Sequence, residues 1–392
     1  MNCDLSIIIP TKNRQYYCLE SLKQILNVIQ NTNYEIEVII CDNSTNNDLE
    51  KKIKELNKTF VKYYYNPGVV SFIDNFDYAL KKANGEYLIT IGDDDGILPE
   101  MFPLLSYAYK NNIDAIIPDL GAVYFWPSNS NIVKNSKTGL LIYSQKYPRI
   151  KSINTKNGIQ RLLNKAGQEY QNADLARLYH GIVRKDVIKL NNQGKYFGGL
   201  TPDIYIAVSA SINAKNVIRT TFPITISGIC EKSGSSDSAT GAHKGKLSDA
   251  PHFIGHDSYV WEKLIPQIYS VETIWAETVI KALRDFNMEK EIAKFNIKYF
   301  EFLLFNKYSN LLKDAQYKKN INIFIYYYLK LKTIYIKAIR RISKKILGIN
   351  RVFRVKNTVD IDKASYYVKI NQNDKFKRRL KHLLEENYNV QR

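Results

Sequence analysis

The chain has 392 residues, 45% hydrophobic and 24% charged, enough for two or three buried cores and incompatible with wholesale disorder. Its net charge is +19, yet Lys313 to Lys356 alone holds 13 Lys and Arg against one acidic residue, Asp314, so the excess marks a local basic surface. Cys3, Cys18, Cys41 and Cys230 lack the paired short spacing of a zinc site or a disulfide framework, and no run of ~18 apolar residues offers a membrane span. The opening Met1-Asn2-Cys3-Asp4 shows no basic flank or apolar leader, so no signal peptide is expected and a reducing, cytoplasmic location is.

Leu5 to Pro10 is a β-branched run stopped by proline and predicts a buried parallel strand. Tyr17 to Ile29 spaces Leu19, Leu22, Ile25, Leu26 and Ile29 on one helical face. A second strand is predicted over Glu35 to Ile40, a charged helix over Leu49 to Leu56, and a third strand over Val61 to Tyr65. Ser71 to Ala83 predicts a helix with Phe72, Phe76, Leu80 and Ala83 inward and Asn84-Gly85 as a left-handed stop. Glu86 to Ile91 then reads as a short buried strand.

Directly after it stand Asp93, Asp94 and Asp95. Three adjacent carboxylates repel by about 1 kcal/mol per pair even in water at ~4 Å. A buried strand end tolerates that when a cation is present, and oxygen ligands suit Mg²⁺ or Mn²⁺. A solvated acidic turn is the competing reading. Strand–helix alternation with short connections implies a parallel, doubly wound sheet, whose ligands lie beyond the carboxyl ends of its strands. Thr11, Asp42 and Asp93–Asp95 all fall at such ends.

Further strands are predicted at Asp114 to Pro118, Tyr179 to Arg184 and Asn216 to Ile226, the last interrupted by Pro223; edge strands lie within 119–150. Helices are predicted over Leu98 to Lys110, Asn157 to Lys165 and Ile204 to Ala214, with Ser227 to Gly245 a mobile glycine–serine loop. Beyond Ser258 helical patterns dominate.

Leu5-Ser6-Ile7-Ile8-Ile9-Pro10-Thr11-Lys12-Asn13-Arg14, Ile39-Ile40-Cys41-Asp42-Asn43-Ser44, and Ala79-Leu80 followed by Asn84-Gly85-Glu86-Tyr87-Leu88 resemble, in this order, blocks of the inverting family 2 glycosyltransferases of bacterial surface polysaccharide synthesis. The resemblance is good over residues 4 to about 118, weak over 119–250 and absent beyond. It implies an α/β GT-A fold, Rossmann-like with a mostly parallel sheet flanked by helices, to which the helical patterns beyond Ser258 add an α-helical C-terminal extension. Residues 1–118 would form the nucleotide-sugar-binding half, 119–257 the acceptor-binding half and 258–392 a basic helical region. Asp42 would meet the base of the nucleotide, an Asx turn being the alternative. Pro10 and Thr11 would wall the base and ribose, and Arg14, Asn75, Asp93, Lys232 and His243 would complete the donor site. Asp93, Asp94 and Asp95 would share the Mn²⁺ or Mg²⁺. Here the sequence departs from the commonest family pattern, which has its first Asp where Gly92 stands, so which carboxylate binds metal stays open.

Inverting transfer also needs a base on the acceptor side. Asp203, after Thr201-Pro202, resembles the family's acidic residue at a helix start, with plain helix capping as the alternative. Lys232, His243 and Lys244 sit in the glycine–serine loop as candidates for a lid on the donor, whereas His180, His252 and His256 carry weaker signals. Phe324, Tyr328, Leu331, Tyr335, Ile339, Ile342, Ile346 and Ile349 form a helical stripe, with Lys330, Lys332, Lys337, Arg340, Arg341, Lys344 and Lys345 on other faces. Residues 321–356 would thus lie on an anionic membrane surface, the inner face of the plasma membrane, or pack the stripe on the catalytic domain. The expected partners are a nucleotide sugar and a glycan or lipid-linked saccharide, not nucleic acid. The alternatives are a nucleotidyltransferase, disfavoured by the lack of glycines after the first strand, and a catalytically silent membrane-surface assembly module.

Overall fold

The computed structural model describes residues 3–128, 138–231, 244–256, 259–315, 317, 321–347, 351–372, 378, 380–382 and 385, with only the backbone at 249, 337, 340–347 and 351. Leu5–Thr11 (β1), Gln15–Ile29 (α1), Ile36–Asp42 (β2), Asp48–Glu55 (α2), Val61–Tyr65 (β3), Phe72–Lys81 (α3) and Tyr87–Thr90 (β4) alternate as expected. β1 pairs in parallel with β2 from Leu5↔Ile36 to Thr11↔Asp42, and with β4 from Leu5↔Tyr87 to Ile8↔Thr90. Both faces of these strands are covered by helices, so every residue of β1, β2 and β4 is buried. That register brings Thr11, Asp42 and the residues after Thr90 to one edge.

Two details of α3 depart from the sequence reading. Its end, Lys82, is right-handed, and neither Asn84 nor Gly85 has a positive φ. Gly85 is required for space instead, because a Cβ there would stand 2.5 Å from the Ser6 amide nitrogen. Phe72, predicted inward, is 56% exposed, and Ile73 takes the buried place.

The chain continues through Gly96–Ile97 (β5), Met101–Lys110 (α4), Ala115–Pro118 (β6), Ala122–Phe125 (β7), Leu140–Gln145 (β8), Ile150–Ile153 (β9), Thr155–Asn164 (α5), Ile182–Arg184 (β10), Pro202–Asn213 (α6), Val217–Thr220 (β11) and Thr225–Ile229 (β12). The main sheet has eight strands in the order β3-β2-β1-β4-β10-β6-β11-β9, with β10 and β9 antiparallel to their neighbours. The single strand predicted over Asn216 to Ile226 is two, divided around Pro223. β11 stays in the main sheet, whereas β12 pairs with β5 and β7 in a second one. Ser227–Ile229 therefore belongs to a strand, not to the predicted mobile loop.

Beyond it come Lys244–Lys246 (β13), Ile268–Ser270 (β14), Val271–Asp285 (α7), Glu289–Ile292 (α8), Ile297–Asp314 (α9), Ile323–Leu347 (α10), Arg351–Val355 (β15) and Ile361–Asn371 (α11). A capping box starts α7: Ser270 accepts from the Thr273 amide while the Thr273 hydroxyl accepts from the Ser270 amide. Leu162 and Leu163 of α5, Val208 of α6, Val279 and Leu283 of α7 and Phe300 of α9 share one core. The predicted stripe lies on α10 as far as Leu347, Ile349 falls outside the described residues, and β15 pairs antiparallel with β8. Among the described residues no helix is long and apolar enough to cross a membrane.

Candidate active site

The three aspartates leave the end of β4 into the crowded edge beside β1 and β12, and each meets different partners. Asp93 takes an ion pair from Arg14 at 2.5 Å and a hydrogen bond from the Thr11 hydroxyl at 2.6 Å. Asp95 is the most enclosed: it accepts from the backbone amides of Gly92 (2.6 Å) and Gly228 (2.7 Å), from the Tyr179 hydroxyl (3.0 Å), and faces His180 Nε2 at 3.3 Å. Asp94 accepts from the Cys230 amide at 3.2 Å and stands 3.7 Å from Arg14. Burial raises the pKa of all three carboxyls above the usual carboxylate range, and Arg14 acts against that rise. Gly228 is obligatory, since a Cβ there would lie 1.8 Å from the Asp94 carbonyl oxygen.

Asp94 and Arg14 line a cavity of about 350 Å³ with Asp203, which reaches it from the first turn of α6. Pro202 occupies that turn without loss of a hydrogen bond. The Tyr170 hydroxyl donates to Asp203, and burial in this cavity raises the Asp203 pKa. Pro10, Phe72, Tyr170, Arg177, Thr201 and Trp275 contribute further wall.

Three of the sequence-predicted residues lie elsewhere. Asp42 is buried off the cavity: Oδ1 accepts from the Ser44 amide at 2.8 Å, an Asx turn, and Oδ2 from Tyr63 and Gln15 at 2.9 and 3.1 Å. Asn75 donates to the Cys41 carbonyl at 3.3 Å. Thr11 spends its hydroxyl on Asp93. Lys232 and His243 lie outside the described residues, and Lys244 is exposed on β13. His252 lines this cavity and His256 another, so the pair does not converge. His180 is buried with a pKa pushed down to about 3 by desolvation, and its Nδ1 lies 2.9 Å from the Thr225 hydroxyl.

Arg177 escaped the sequence reading. The residue is only 4% exposed, and its guanidinium donates to the Pro118 and Gln171 carbonyls and keeps Nε–H without a partner among the described residues. Desolvation lowers its pKa to about 10. The available signal was a lone cation inside the apolar stretch Leu175-Ala176-Arg177-Leu178. The Thr201 hydroxyl at the same cavity is likewise buried and unpartnered among the described residues.

A divalent cation fits this site in one mode only. Among the described residues no three His, Cys, Asp or Glu side chains come together to enclose one. Asp93 is answered by Arg14 and Asp95 by three donors. Asp94 lines the cavity, and one carboxylate with substrate phosphates and water suits Mg²⁺.

The sequence model of the family described as glycosyl transferase family 2 matches residues 6–162. A dolichol-phosphate mannosyltransferase of Pyrococcus furiosus is 29% identical over 153 residues, 38% of this chain and 43% of that protein. A GalNAc(5)-diNAcBac-PP-undecaprenol beta-1,3-glucosyltransferase of Campylobacter jejuni is 31% identical over 98 residues, 24% of this chain and 30% of that protein. The chain thus spans less than half the length of these curated relatives. The crystal structure of S. aureus TarS residues 1–349 with UDP-GlcNAc overlaps 80% of this chain and 76% of its own at 17% identity, with a TM-score of 0.45, too distant to speak for the site.

Proposed function

The chain belongs to glycosyltransferase family 2 through residues 6–162, and from that premise we propose that it moves a sugar, with inversion, from a nucleotide-sugar donor to a saccharide or lipid-linked glycan. The observation that carries the reading is one cavity lined by Arg14, Asp94 and Asp203, which arrive from three separate segments. Asp203 is the general base. Its carboxylate takes the proton of the acceptor hydroxyl as that oxygen bonds to the anomeric carbon and the bond to the departing nucleoside diphosphate breaks. Tyr170 fixes the orientation of that carboxylate.

Arg14 offers positive charge where the diphosphate would lie. Asp94 would hold Mn²⁺ or Mg²⁺, which when bound offsets charge gathering on the leaving diphosphate. Pro10 lines the donor side, and Asp42 and Asn75 act by positioning the β2 end against which the base would rest. Arg177 Nε–H and the Thr201 hydroxyl are donors available to the acceptor.

The relatives are named for dolichol-phosphate and for a PP-undecaprenol-linked saccharide, which supports a lipid-linked acceptor and a site of action on an anionic membrane surface such as the inner face of the plasma membrane. Phe324, Tyr328, Leu331, Tyr335 and Ile339 of α10 are 46–81% exposed, while Tyr326 on another side packs on Phe302 of α9. An apolar face left to solvent among exposed Lys330 and Lys332 has the chemistry of an interfacial helix.

A thermal-shift screen of nucleotide sugars with and without Mn²⁺ tests the reading. A true donor at ~100 times its Kd adds about 2.7 kcal/mol, and more with Mn²⁺ present. Melting unmoved by every nucleotide sugar, with no Mn²⁺-dependent donor hydrolysis, overturns it.

A further inference from the structure

A second and larger cavity, about 800 Å³, lies beside the first and has no part in the chemistry above. The same segments wall both. α7 turns Ile274 and Trp275 to the first cavity and Glu277, Lys281 and Arg284 to the second, while α3 gives Phe72 and Phe76 to the first and Ile73 and Asp74 to the second. The turn before α6 likewise divides, Gly198 and Gly199 on one side and Thr201 to Asp203 on the other.

The lining has a particular chemistry. Tyr259 and Trp261 present aromatic surface to it. Its charges are mostly settled internally: Lys195 with Asp74 at 2.7 Å, Arg284 with Glu262 at 2.9 Å, and Lys281 with Asp285 at 2.6 Å. An anion entering here would have to break such pairs, so the lining disfavours a nucleotide or a phosphate. Yet Glu277 is fully buried, and while its Oε1 accepts from the Tyr259 hydroxyl, its Oε2 has no partner among the described residues. A buried carboxyl oxygen without a partner is costly, and a ligand hydroxyl removes the cost.

We propose that this cavity is a saccharide subsite, in which uncharged sugar units of the acceptor stack on Trp261 and Tyr259 and hydrogen-bond Glu277 while the reacting end lies by Asp203. Aromatic faces match the apolar faces of pyranose rings, and the paired Lys, Arg, Asp and Glu side chains offer donors and acceptors to their hydroxyls. Burial raises the Glu277 pKa to about 8, which leaves the carboxyl neutral at pH 7 and able both to donate and to accept. The placement of a glycan between two cavities rests on the transferase reading; the binding of neutral saccharide in the second cavity does not.

Saturation-transfer NMR on the full chain, with tetrasaccharides of glucose, galactose, N-acetylglucosamine and N-acetylgalactosamine as probes and inorganic pyrophosphate and UDP as anionic rivals, tests it. At least one tetrasaccharide should bind, with affinity falling about tenfold in Glu277→Ala and in Trp261→Ala. The isosteric Glu277→Gln, whose amide donates and accepts as the neutral carboxyl does, should keep the affinity, and melting curves taken for both alanine variants guard against a fold defect. No binding by any tetrasaccharide overturns the proposal, as does affinity unchanged in both variants. A response of the second cavity to pyrophosphate or UDP alone overturns it too. Saccharide binding in a chain that hydrolyses no nucleotide sugar would sink the transferase reading and keep the subsite.

Discussion

The loop after β4 and the helix α10 both concentrate charge of one sign, and the fold treats them in opposite ways. Asp93, Asp94 and Asp95 are at most 4% exposed, and the carboxylates of Asp93 and Asp95 are met by Arg14, Thr11, Tyr179, His180 and two backbone amides. On α10 the exposed Lys330 and Lys332 flank Leu331, which is 68% exposed, and Phe324 in the first turn is 81% exposed. Like charges buried together require a fixed set of opposite partners, because burial multiplies the repulsion that water would screen. Like charges at a surface cost little, so nothing in the fold has to answer them and the apolar residues among them stay exposed. The contrast separates carboxylates answered within the chain from apolar side chains left in solvent, the ones for which a membrane surface is proposed.

The cavity that Asp94 lines offers the largest effect. Asp203→Asn should lower transfer by about 10²–10⁴-fold while nucleotide-sugar binding persists. Normal turnover in a single-turnover assay would remove Asp203 from the chemistry.

Within the triplet the enclosed and the open carboxylates should part company. Asp95→Asn disturbs an acceptor shared by three donors and should cost roughly 2–4 kcal/mol in urea melts. Asp94→Asn should leave stability close to wild type and abolish the response to Mn²⁺. Equal destabilisation by both would erase the distinction drawn between them.

On α10, Lys330→Gln with Lys332→Gln should weaken flotation with anionic vesicles roughly thirtyfold, at about 1 kcal/mol per lysine. Flotation by neither wild type nor variant would leave α10 without its proposed surface.

How far the sequence could be read follows the same division. The β-branched runs Leu5 to Pro10 and Ile36 to Ile40 have both faces buried, so composition alone placed them, and the strand ends at Thr11, Asp42 and Asp93 came with them. The partition of labour among the aspartates was not legible. It depends on Gly228 and Tyr179, which lie 133 and 84 positions from Asp95 in the chain. Asp42 shows the same limit, because its Tyr63 partner comes from a neighbouring strand. Gly85 is the instructive miss: the local pattern suggested a left-handed stop, whereas the constraint is the Ser6 amide across the sheet. Arg177 belongs to no periodic pattern, and only its burial reveals it.

The smallest effect probes how Asp203 is held ready. Desolvation raises its pKa, and the hydrogen bond from Tyr170, which favours the ionised form, lowers it. A base must be ionised to act, so turnover should fall as pH drops through a value above the ordinary carboxylate range. Tyr170→Phe removes a donor to the carboxylate and leaves the desolvation, so the pKa rises further and the acid limb moves to higher pH. On the shifted limb the variant is slower, and above it activity recovers, because the base itself is intact. A limb that stays in place in Tyr170→Phe would mean that the titrating group is not the carboxylate this tyrosine touches. Were the same limb to survive in the residual activity of Asp203→Asn, the base would have to be sought on another wall of the cavity.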